Sequence, residues 1–166
     1  MRFTFCPDCG QKLSARDLGD EHDVPWCDGC GRPWFEMFPC CVIVLVRRAG
    51  KFALIKQNSC EQSERDKYVC VSGYIKTGES AEQAALREVK EELGLDPLYC
   101  TLVSSYVYKK KQMLMLGFCV DADEGEFSLS DELCEAKWFN KEQAVELLGK
   151  TTVGDRLISD ILSKGI

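Results

Sequence analysis

The sequence predicts an α/β sandwich of strands and three helices, which a small cysteine-rich module precedes. From residue 40 onward, short apolar segments typical of strands are interspersed with three helical segments, but not as a regular βαβ repeat. Residues 1–39 are instead rich in Cys, Gly, Pro and Asp, and they hold too few apolar side chains for a core of their own. We therefore expect two domains, 1–39 and 40–166.

The elements of the larger domain follow from apolar spacing and turn residues. The run CCVIVLV at 40–46 predicts a buried strand, and 51–56 predicts its return strand after a turn. Residues 57–67 form a polar loop. Further strands are predicted at 68–75, 98–108, 112–121 and 135–139, and helices at 80–93, 140–148 and 153–163. The first helix has the clearest ends, because Ser80 and Gln83 match a capping box and Gly94 suits a C-terminal cap.

Composition and charge exclude several classes of protein. Hydrophobic residues make up 45% of the chain and charged residues 29%, as in ordinary folded proteins. No apolar run reaches the about 18 residues of a membrane span, so we expect no membrane partner. The N-terminus lacks the apolar core of a signal peptide, which favours a cytoplasmic location. Because the net charge is −6, nucleic acid is not an expected partner.

Four of the eleven cysteines form two CxxC pairs in the N-terminal module. Cys6 and Cys9 are separated from Cys27 and Cys30 by 17 residues, which is a spacing typical of zinc sites with four thiolates. Four thiolates complete a tetrahedron, so the zinc would be structural and would supply folding energy that the small core lacks. The alternatives are a redox pair or a disulfide. His22 lies between the pairs, and we expect it to be an exposed loop residue.

The charge of this predicted zinc ribbon argues against a grip on nucleic acid. Residues 1–39 contain four basic and seven acidic side chains, a net charge of −3. Because phosphate binding draws on positive charge, we expect a packing or dimerisation role instead.

The helix predicted at 80–93 carries a cluster of glutamates. Glu88, Glu91 and Glu92 stand at i, i+3 and i+4, and they share one helix face within roughly 100°. Like charges at this spacing destabilise a helix, whereas a hard cation that prefers oxygen ligands would neutralise them. Magnesium held there could bridge to substrate phosphates and activate water. Taken alone, the cluster also fits a solvated acidic surface.

The spacing around these glutamates resembles a family signature. From Gly73 the pattern is five residues, Glu79, seven residues, and then Arg-Glu-Val-x-Glu-Glu-x-Gly-Leu ending at Leu95. All nine defining positions match the signature of the Nudix hydrolases. The resemblance implies an α/β/α sandwich with a mixed sheet, and hydrolysis of a diphosphate bond by water.

The resemblance also implies roles for individual residues. Mg²⁺ or Mn²⁺ would be held by Glu88 and Glu92, assisted by Glu91 and by a backbone carbonyl near Ser72. The ion pair of Glu79 with Arg87 would shape the loop and helix. The implied catalytic residues are Glu79, Arg87, Glu88, Glu91 and Glu92.

A zinc ribbon directly before such a domain is similar to the NADH pyrophosphatase branch of this family. MLMLGF at 113–118 and EAKWF at 135–139 resemble segments of that branch, which implies that Glu135 is an additional metal ligand. The segment 152–158 resembles the start of its substrate-side helix and implies that Gly154 binds substrate. The resemblance further implies a homodimer and a small-molecule nucleotide as substrate.

One segment departs from that branch, and it leaves NAD(H) specificity open. The branch carries a proline-rich run where this chain has SYVYKKK at 105–111, so the stiffening prolines are absent. Ser105 remains, Tyr106 and Tyr108 could stack on a base, and Lys109 to Lys111, with Lys110 at the centre, could meet phosphate. The alternative is a plain β-hairpin with a charged turn.

The sequence thus predicts a metal-dependent hydrolase of a dinucleotide or nucleoside-diphosphate derivative, NAD(H) among the candidates. One alternative is an ADP-ribose or nucleoside triphosphate pyrophosphohydrolase. The other is a zinc-ribbon protein that binds a nucleotide without cutting it.

Overall fold

The chain divides into two units, Met1–Phe38 and Pro39–Ile166. Their structure is a computed structural model, and it describes residues 3–35, 37–59, 66–149, 151 and 153–166. None of the helices in this described part has the length and apolar character that a membrane crossing requires.

The N-terminal unit is built around a three-stranded antiparallel sheet. Its strands, in spatial order, are β1 (Ser14–Leu18), β2 (Glu21–Cys27) and β3 (Arg32–Pro33). Its core is small, with Cys6, Cys27 and Trp34 buried and two further apolar side chains packed against them. The ring of Phe3 meets that of Trp34 edge-on, with 5.5 Å between their centroids. So little apolar burial agrees with the expectation that this unit needs another source of stability.

The larger unit contains a six-stranded sheet. Its strands are β4 (Cys40–Arg48), β5 (Lys51–Gln57), β6 (Val71–Tyr74), β7 (Pro97–Tyr108), β8 (Met113–Ala122) and β9 (Leu133–Phe139). The spatial order is β7-β8-β4-β5-β9, and β6 pairs with the part of β4 that lies before its contact with β5. The pair β4–β8 is parallel and the other pairs are antiparallel, which confirms the predicted mixed sheet.

Helices cover both faces of this sheet. They are α1 (Ala81–Leu93), α2 (Lys141–Leu148) and α3 (Gly154–Lys164). Because side chains alternate along a strand, β4 contributes to two separate cores. Val42 and Val44 pack with Val89 of α1, whereas Ile43 belongs to the cluster that contains Leu157 of α3. The result is the three-layer sandwich that the sequence predicted.

The ends of α1 are those that the sequence predicted. Ser80 is the N-cap and exchanges both capping-box hydrogen bonds with Gln83, and Gly94 ends the helix in the left-handed conformation at φ 70°. A second capping box, formed by Asn140 and Gln143, starts α2.

The strand predicted at 68–75 differs from the observed one. Only Val71–Tyr74 pairs with β4, while Val69 exchanges two backbone hydrogen bonds with Ile55 of β5. The segment therefore changes partner within a few residues. Local β propensity could not reveal that change, because it depends on where β4 and β5 lie.

Candidate active site

An ion pair holds the turn that connects β6 to α1. Arg87 donates two hydrogen bonds to Glu79, from Nε to Oε2 at 3.0 Å and from Nη2 to Oε1 at 2.7 Å. Glu79 also accepts a hydrogen bond from the backbone N–H of Lys76 at 2.6 Å, and Arg87 donates to the carbonyl of Tyr74 at 3.1 Å. The Arg87 guanidinium lowers the pKa of Glu79 to about 2, so this carboxylate is charged at neutral pH. These contacts tie the loop to the helix that carries the glutamates.

Glu88 is buried against the backbone of β6, and only a glycine leaves room for it there. A Cβ atom added to Gly73 would lie 1.9 Å from Glu88 Oε1 and 2.1 Å from its Cδ. Both distances are far shorter than a van der Waals contact. The first position of the signature thus has a direct steric reason, since Gly73 lets a carboxylate reach the strand backbone.

Glu92 is the most deeply buried of the three predicted carboxylates. It is 6% exposed, and its Oε2 has no hydrogen-bond partner among the described residues. Burial raises its pKa to about 8, and the nearby charges of Glu88, Glu132 and Glu91 add to that rise. A buried oxygen without a partner beside other carboxylates is an arrangement that a cation would stabilise.

Glu91 completes the set at the exposed rim of the site. Its Oε2 accepts a hydrogen bond from Arg87 at 2.9 Å, and its Oε1 lies 3.8 Å from the ammonium of Lys76. Arg87 also donates to Glu88 at 2.6 Å. The structure therefore brings Glu88 and Glu91 together beside one guanidinium, and their charges act on the buried Glu92. Carboxylate oxygens are the ligands that Mg²⁺ and Mn²⁺ prefer, so these residues fit such an ion.

Sequence reasoning did not single out a fourth carboxylate, Glu132. The loop before β9 follows the end of α1, because the N–H groups of Ser128 and Ser130 donate to the carbonyls of Leu93 and Glu92 at 2.8 and 3.1 Å. Glu132 lines the same cavity as Glu88 and Glu91, and its charge contributes to the raised pKa of Glu92. Only the tertiary path of this loop reveals the contact, since Glu132 has no periodic relation to the helix.

Glu135, for which the resemblance implied a metal-ligand role, lies in a different environment. It accepts a hydrogen bond from the hydroxyl of Tyr68 at 2.7 Å and forms ion pairs with Lys56 at 3.0 Å and with Lys137. These partners, Lys137 foremost, lower its pKa to about 2. Glu135 does not line the cavity, whereas Ser72 does.

The cavity has a volume of about 530 Å³ and lies next to the glutamates. Its polar part includes Glu88, Glu91, Arg87 and Lys76, and its apolar part includes residues of β4 and β8. Among the predicted substrate-binding residues, Tyr108 and Gly154 line it, but Ser105, Tyr106 and Lys110 do not. Thr152, in the segment that suggested Gly154, falls outside the described residues.

Tyr106 is placed where it cannot stack on a substrate. It is 1% exposed, and its hydroxyl donates a hydrogen bond to Asp160 of α3 at 2.7 Å. Its ring lies so close to Gly117 that a Cβ there would come within 2.5 Å. Strand alternation explains the placement, because it sends Tyr106 into the core under α3.

Tyr74, which was not predicted, and Lys111, which was predicted only together with Lys109 and Lys110, also line the cavity. Tyr74 is 58% exposed and presents an aromatic ring at the rim, next to Gly73. Lys111 lines the cavity from the turn that follows β7, whereas its neighbours Lys109 and Lys110 do not. Tyr74 directly follows the first residue of the signature, Gly73, and that position could have suggested it. No local signal in the sequence distinguishes Lys111 from Lys109 and Lys110.

The two CxxC pairs meet in the N-terminal unit. The four sulfur atoms of Cys6, Cys9, Cys27 and Cys30 all lie within 4.8 Å of one another. The Cys9–Cys27 and Cys6–Cys30 sulfur distances are 3.5 and 3.9 Å. Four sulfurs bound to zinc at about 2.3 Å would be about 3.8 Å apart in a regular tetrahedron, so the cluster fits zinc. His22 is exposed and lies 3.2 Å from Asp17, away from these thiols.

A sequence model of the NUDIX domain matches residues 37–160. The chain belongs to the NUDIX domain family. The matched range contains the glutamates, the cavity and the Arg87–Glu79 ion pair. NUDIX hydrolases generally use a divalent metal, in agreement with the carboxylate set described above.

Relatives of this NUDIX protein are similar to it in sequence over both units. It is 30% identical over 160 residues to the NAD-capped RNA hydrolase NudC of Edwardsiella ictaluri, covering 96% of this chain and 60% of the relative. It is 29% identical over 161 residues to the protein of the same name from Pseudomonas aeruginosa, covering 96% of this chain and 56% of the relative. The chain thus spans less than two thirds of the length of these relatives.

Solved structures share the fold of this NUDIX protein. A NUDIX hydrolase from Nitrosomonas europaea superposes with a TM-score of 0.68 at 21% identity, covering 84% of this chain and 79% of that one. An ADP-ribose pyrophosphatase from Streptococcus suis superposes with a TM-score of 0.61 at 19% identity, covering 77% and 92%. These matches agree with the mixed sheet and its flanking helices.

Proposed function

We propose that this chain is a divalent-metal-dependent pyrophosphohydrolase that cleaves the diphosphate bond of a dinucleotide or nucleoside-diphosphate derivative. The observation that carries the proposal is that Glu88, Glu91 and Glu132 line one nucleotide-sized cavity and that Glu92 is buried where their charges act on it. An acidic cluster on a solvated surface would not bury two of its members or leave a carboxylate oxygen without a partner.

The proposed metal ligands are these four glutamates, together with the backbone carbonyl near Ser72. Glu132 takes the place that the resemblance gave to Glu135, because Glu135 is neutralised by two lysines away from the cavity. When bound, Mg²⁺ or Mn²⁺ would neutralise the phosphate oxygens and make the attacking water more acidic.

In the proposed reaction, the oxygen of water forms a bond to one phosphorus atom and the anhydride P–O bond breaks. The leaving phosphate takes the electron pair of that bond, the proton of the water passes to solvent, and two monophosphate products result. Arg87 holds Glu88 and Glu91 in position through hydrogen bonds of 2.6 and 2.9 Å. Tyr74 and Tyr108 offer rings against which a base can stack at the cavity wall.

The N-terminal residues 1–39 form a structural zinc ribbon in this proposal, and 40–166 form the catalytic domain. Four thiolates close the zinc coordination, so that ion takes no part in hydrolysis.

The name of the relatives favours NAD-capped RNA as a substrate to test first, and NAD(H) contains the same diphosphate. ADP-ribose and nucleoside triphosphates are the alternatives within the same chemistry. A purely binding protein is the alternative of another class, and the buried carboxylates argue against it. The acidic N-terminal unit, with a net charge of −3, favours a small nucleotide over RNA.

The decisive experiment measures Mg²⁺-dependent turnover on a panel of NADH, NAD-capped RNA, ADP-ribose and nucleoside triphosphates. We expect cleavage of at least one diphosphate, and a loss of 100-fold or more in Glu92→Gln, on the order found when a central catalytic charge is removed. Glu82→Gln is the matched control, because Glu82 lies exposed in the first turn of the same helix. Binding of these nucleotides without turnover of any of them would overturn the hydrolase in favour of the binding protein.

A further inference from the structure

The turn between β7 and β8 carries three consecutive lysines, of which one faces the cavity. Residues Lys109–Lys111 form one turn of 3₁₀ helix, which Gln112 closes in the left-handed conformation at φ 50°. The N–H of Gln112 donates to the carbonyl of Lys109 at 3.2 Å. This geometry sets the directions of the three side chains, and Lys111 is the member that lines the cavity.

Lys111 differs from the other cationic side chains that line this cavity. Arg87 is bound to Glu79, Glu88 and Glu91, and Lys76 is paired with Glu91. In the described part of the chain, no carboxylate oxygen comes within 4.0 Å of the Lys111 ammonium. An unpaired positive charge on the wall of a substrate cavity is available to an anionic group of the ligand.

Strand register separates the turn that carries Lys111 from β6, the strand beside Glu88. Tyr74 of β6 pairs with Cys41 of β4, Cys41 with Met115 of β8, and Met113 of β8 with Tyr108 of β7. Lys111 lies in the turn between β7 and β8, and two strand spacings of about 4.8 Å separate β8 from β6 by about 10 Å. This is longer than a diphosphate and suits a nucleoside that extends from it.

The floor of the cavity between β6 and this turn is apolar. Cys41, Met113 and Met115 are buried there, and burial raises the pKa of the Cys41 thiol. The positive charge of Lys111 partly offsets that rise, and the charge of Glu88 adds to it. A nucleoside on this floor would have its ribose between the glutamates and the ammonium.

We propose that Lys111 is a specificity-determining residue that selects nucleotides carrying a phosphate ester on the ribose, in addition to the diphosphate that is cut. This inference rests on the proposed function, since it assumes that the diphosphate lies at the glutamates. A phosphate on the 2′ or the 3′ oxygen offers the same chemistry to a lysine, which binds phosphate as a point charge.

The test compares substrates that differ only by that phosphate. NADPH against NADH examines the 2′ position, and coenzyme A against dephospho-coenzyme A examines the 3′ position. We expect kcat/KM to favour the phosphorylated member of one pair by roughly tenfold, as for a charge-assisted contact at a partly exposed site. Lys111→Ala abolishes the preference, because it lowers kcat/KM for the phosphorylated member roughly tenfold more than for the other member, whereas Lys111→Glu reverses the preference and Lys111→Arg retains it.

Lys109→Ala is the matched control, because it removes the same charge from the same turn but outside the cavity. The Lys109→Ala variant should keep the wild-type preference for the phosphorylated substrate at low salt. The wild-type preference should shrink between 50 and 500 mM salt, since screening weakens an exposed charge pair. No preference in either pair, or equal losses for both members in Lys111→Ala, would overturn the role of Lys111.

A binding measurement separates this inference from the hydrolase proposal. Adenosine 2′,5′-bisphosphate and 3′,5′-bisphosphate are compared with AMP by calorimetry in wild type and in Lys111→Ala. A tighter bisphosphate in wild type alone supports Lys111 even if no substrate on the panel is hydrolysed. Equal affinities in both proteins would refute Lys111 while leaving hydrolysis intact.

Discussion

At the scale of single residues, Gly73 is the position in the site where even a methyl side chain has no room. Alanine there would place a Cβ 1.9 Å from Glu88 Oε1, so the carboxylate must leave its place beside the strand. We expect Gly73→Ala to lower kcat/KM by roughly 100-fold, because displacing a catalytic group by about 1 Å has an effect of this size. Steady-state kinetics with saturating Mg²⁺ provide the measurement.

Gly125→Ala is the control for this substitution. A Cβ at Gly125 would meet only Leu95 Cδ2 at 3.4 Å and Asp123 Oδ1 at 3.7 Å, which are ordinary contacts. Its activity should stay within about twofold of wild type, as for most surface substitutions. Full activity in Gly73→Ala would show that Glu88 does not need its observed position.

The buried carboxyl of Glu92 makes the stability of the metal-free protein depend on pH. Its pKa is raised from 4.5 to about 8 in the folded state, so the folded protein binds the extra proton between these values. Its contribution to the free energy of unfolding is therefore fully present below about pH 4.5 and is lost as the pH rises to 8. We expect Glu92→Gln to raise the metal-free Tm at pH 8 by roughly 5 °C and at pH 5 by much less.

Thermal denaturation at both pH values, with and without Mg²⁺, measures this effect. Mg²⁺ should raise the Tm of wild type at pH 8, because a ligand that binds only the folded state stabilises it. Glu92→Gln should respond less to the ion. Identical pH slopes in the two proteins would contradict the assigned pKa of Glu92.

Residue roles that rest on helical spacing could be predicted from the sequence, whereas those set by tertiary paths could not. The shared face of Glu88, Glu91 and Glu92 follows from helical spacing alone. Glu132 reaches the same place only because its loop is hydrogen-bonded to the end of α1. Lys111 and Tyr106 likewise depend on a turn and on which strand face meets α3, and a run of tyrosines and lysines encodes neither.

At the scale of elements, the end of α1 determines where the loop with Glu132 lies. Gly94 has φ 70°, and a Cβ on it would lie 2.6 Å from the Cβ of Ser128 and 3.0 Å from its carbonyl oxygen. Gly94→Ala should therefore combine backbone strain of about 1 kcal/mol with a collision that moves the loop. We expect a lower Tm together with weaker activation by Mg²⁺, measured as the metal concentration that gives half-maximal rate.

Gly165→Ala is the control that introduces the backbone strain of a positive φ without a steric collision. Gly165 caps α3 at φ 67°, and a Cβ there would meet nothing within 4 Å. This variant should lose stability alone and keep its response to Mg²⁺. If Gly94→Ala retained the wild-type Mg²⁺ response, the loop would not be what positions Glu132.

Elements could be predicted well where their signals are local. The caps of α1 are close in sequence to the backbone groups with which they form hydrogen bonds. The predicted ends of the helix at Ser80 and Gly94 therefore agree with the observed ones. The strand at β6 was predicted too long, because its partner changes from β5 to β4 between Val69 and Val71. Pairing between distant segments is information that a single window of sequence does not hold.

At the scale of the whole molecule, the two units derive their stability from different sources. The larger unit has two apolar clusters, one on each face of its sheet, and would fold around them. In the described part of the N-terminal unit, the buried core cluster consists of Cys6, Cys27 and Trp34, and two of those are in the sulfur cluster. Its folding should therefore depend on zinc, as in small domains whose metal binding is their folding energy.

Removal of one zinc ligand tests this division. Native mass spectrometry should find one zinc per chain in wild type and none in Cys9→Ser, and amide exchange in residues 3–35 of Cys9→Ser should become as fast as in an unfolded chain. Cys134→Ser is the control, because Cys134 is exposed and lies outside the sulfur cluster. Protection in β4, β8 and α1 should persist in both variants, since their cores contain no metal. Retained protection of 3–35 without zinc would mean that the apolar contacts around Trp34 suffice to fold this unit.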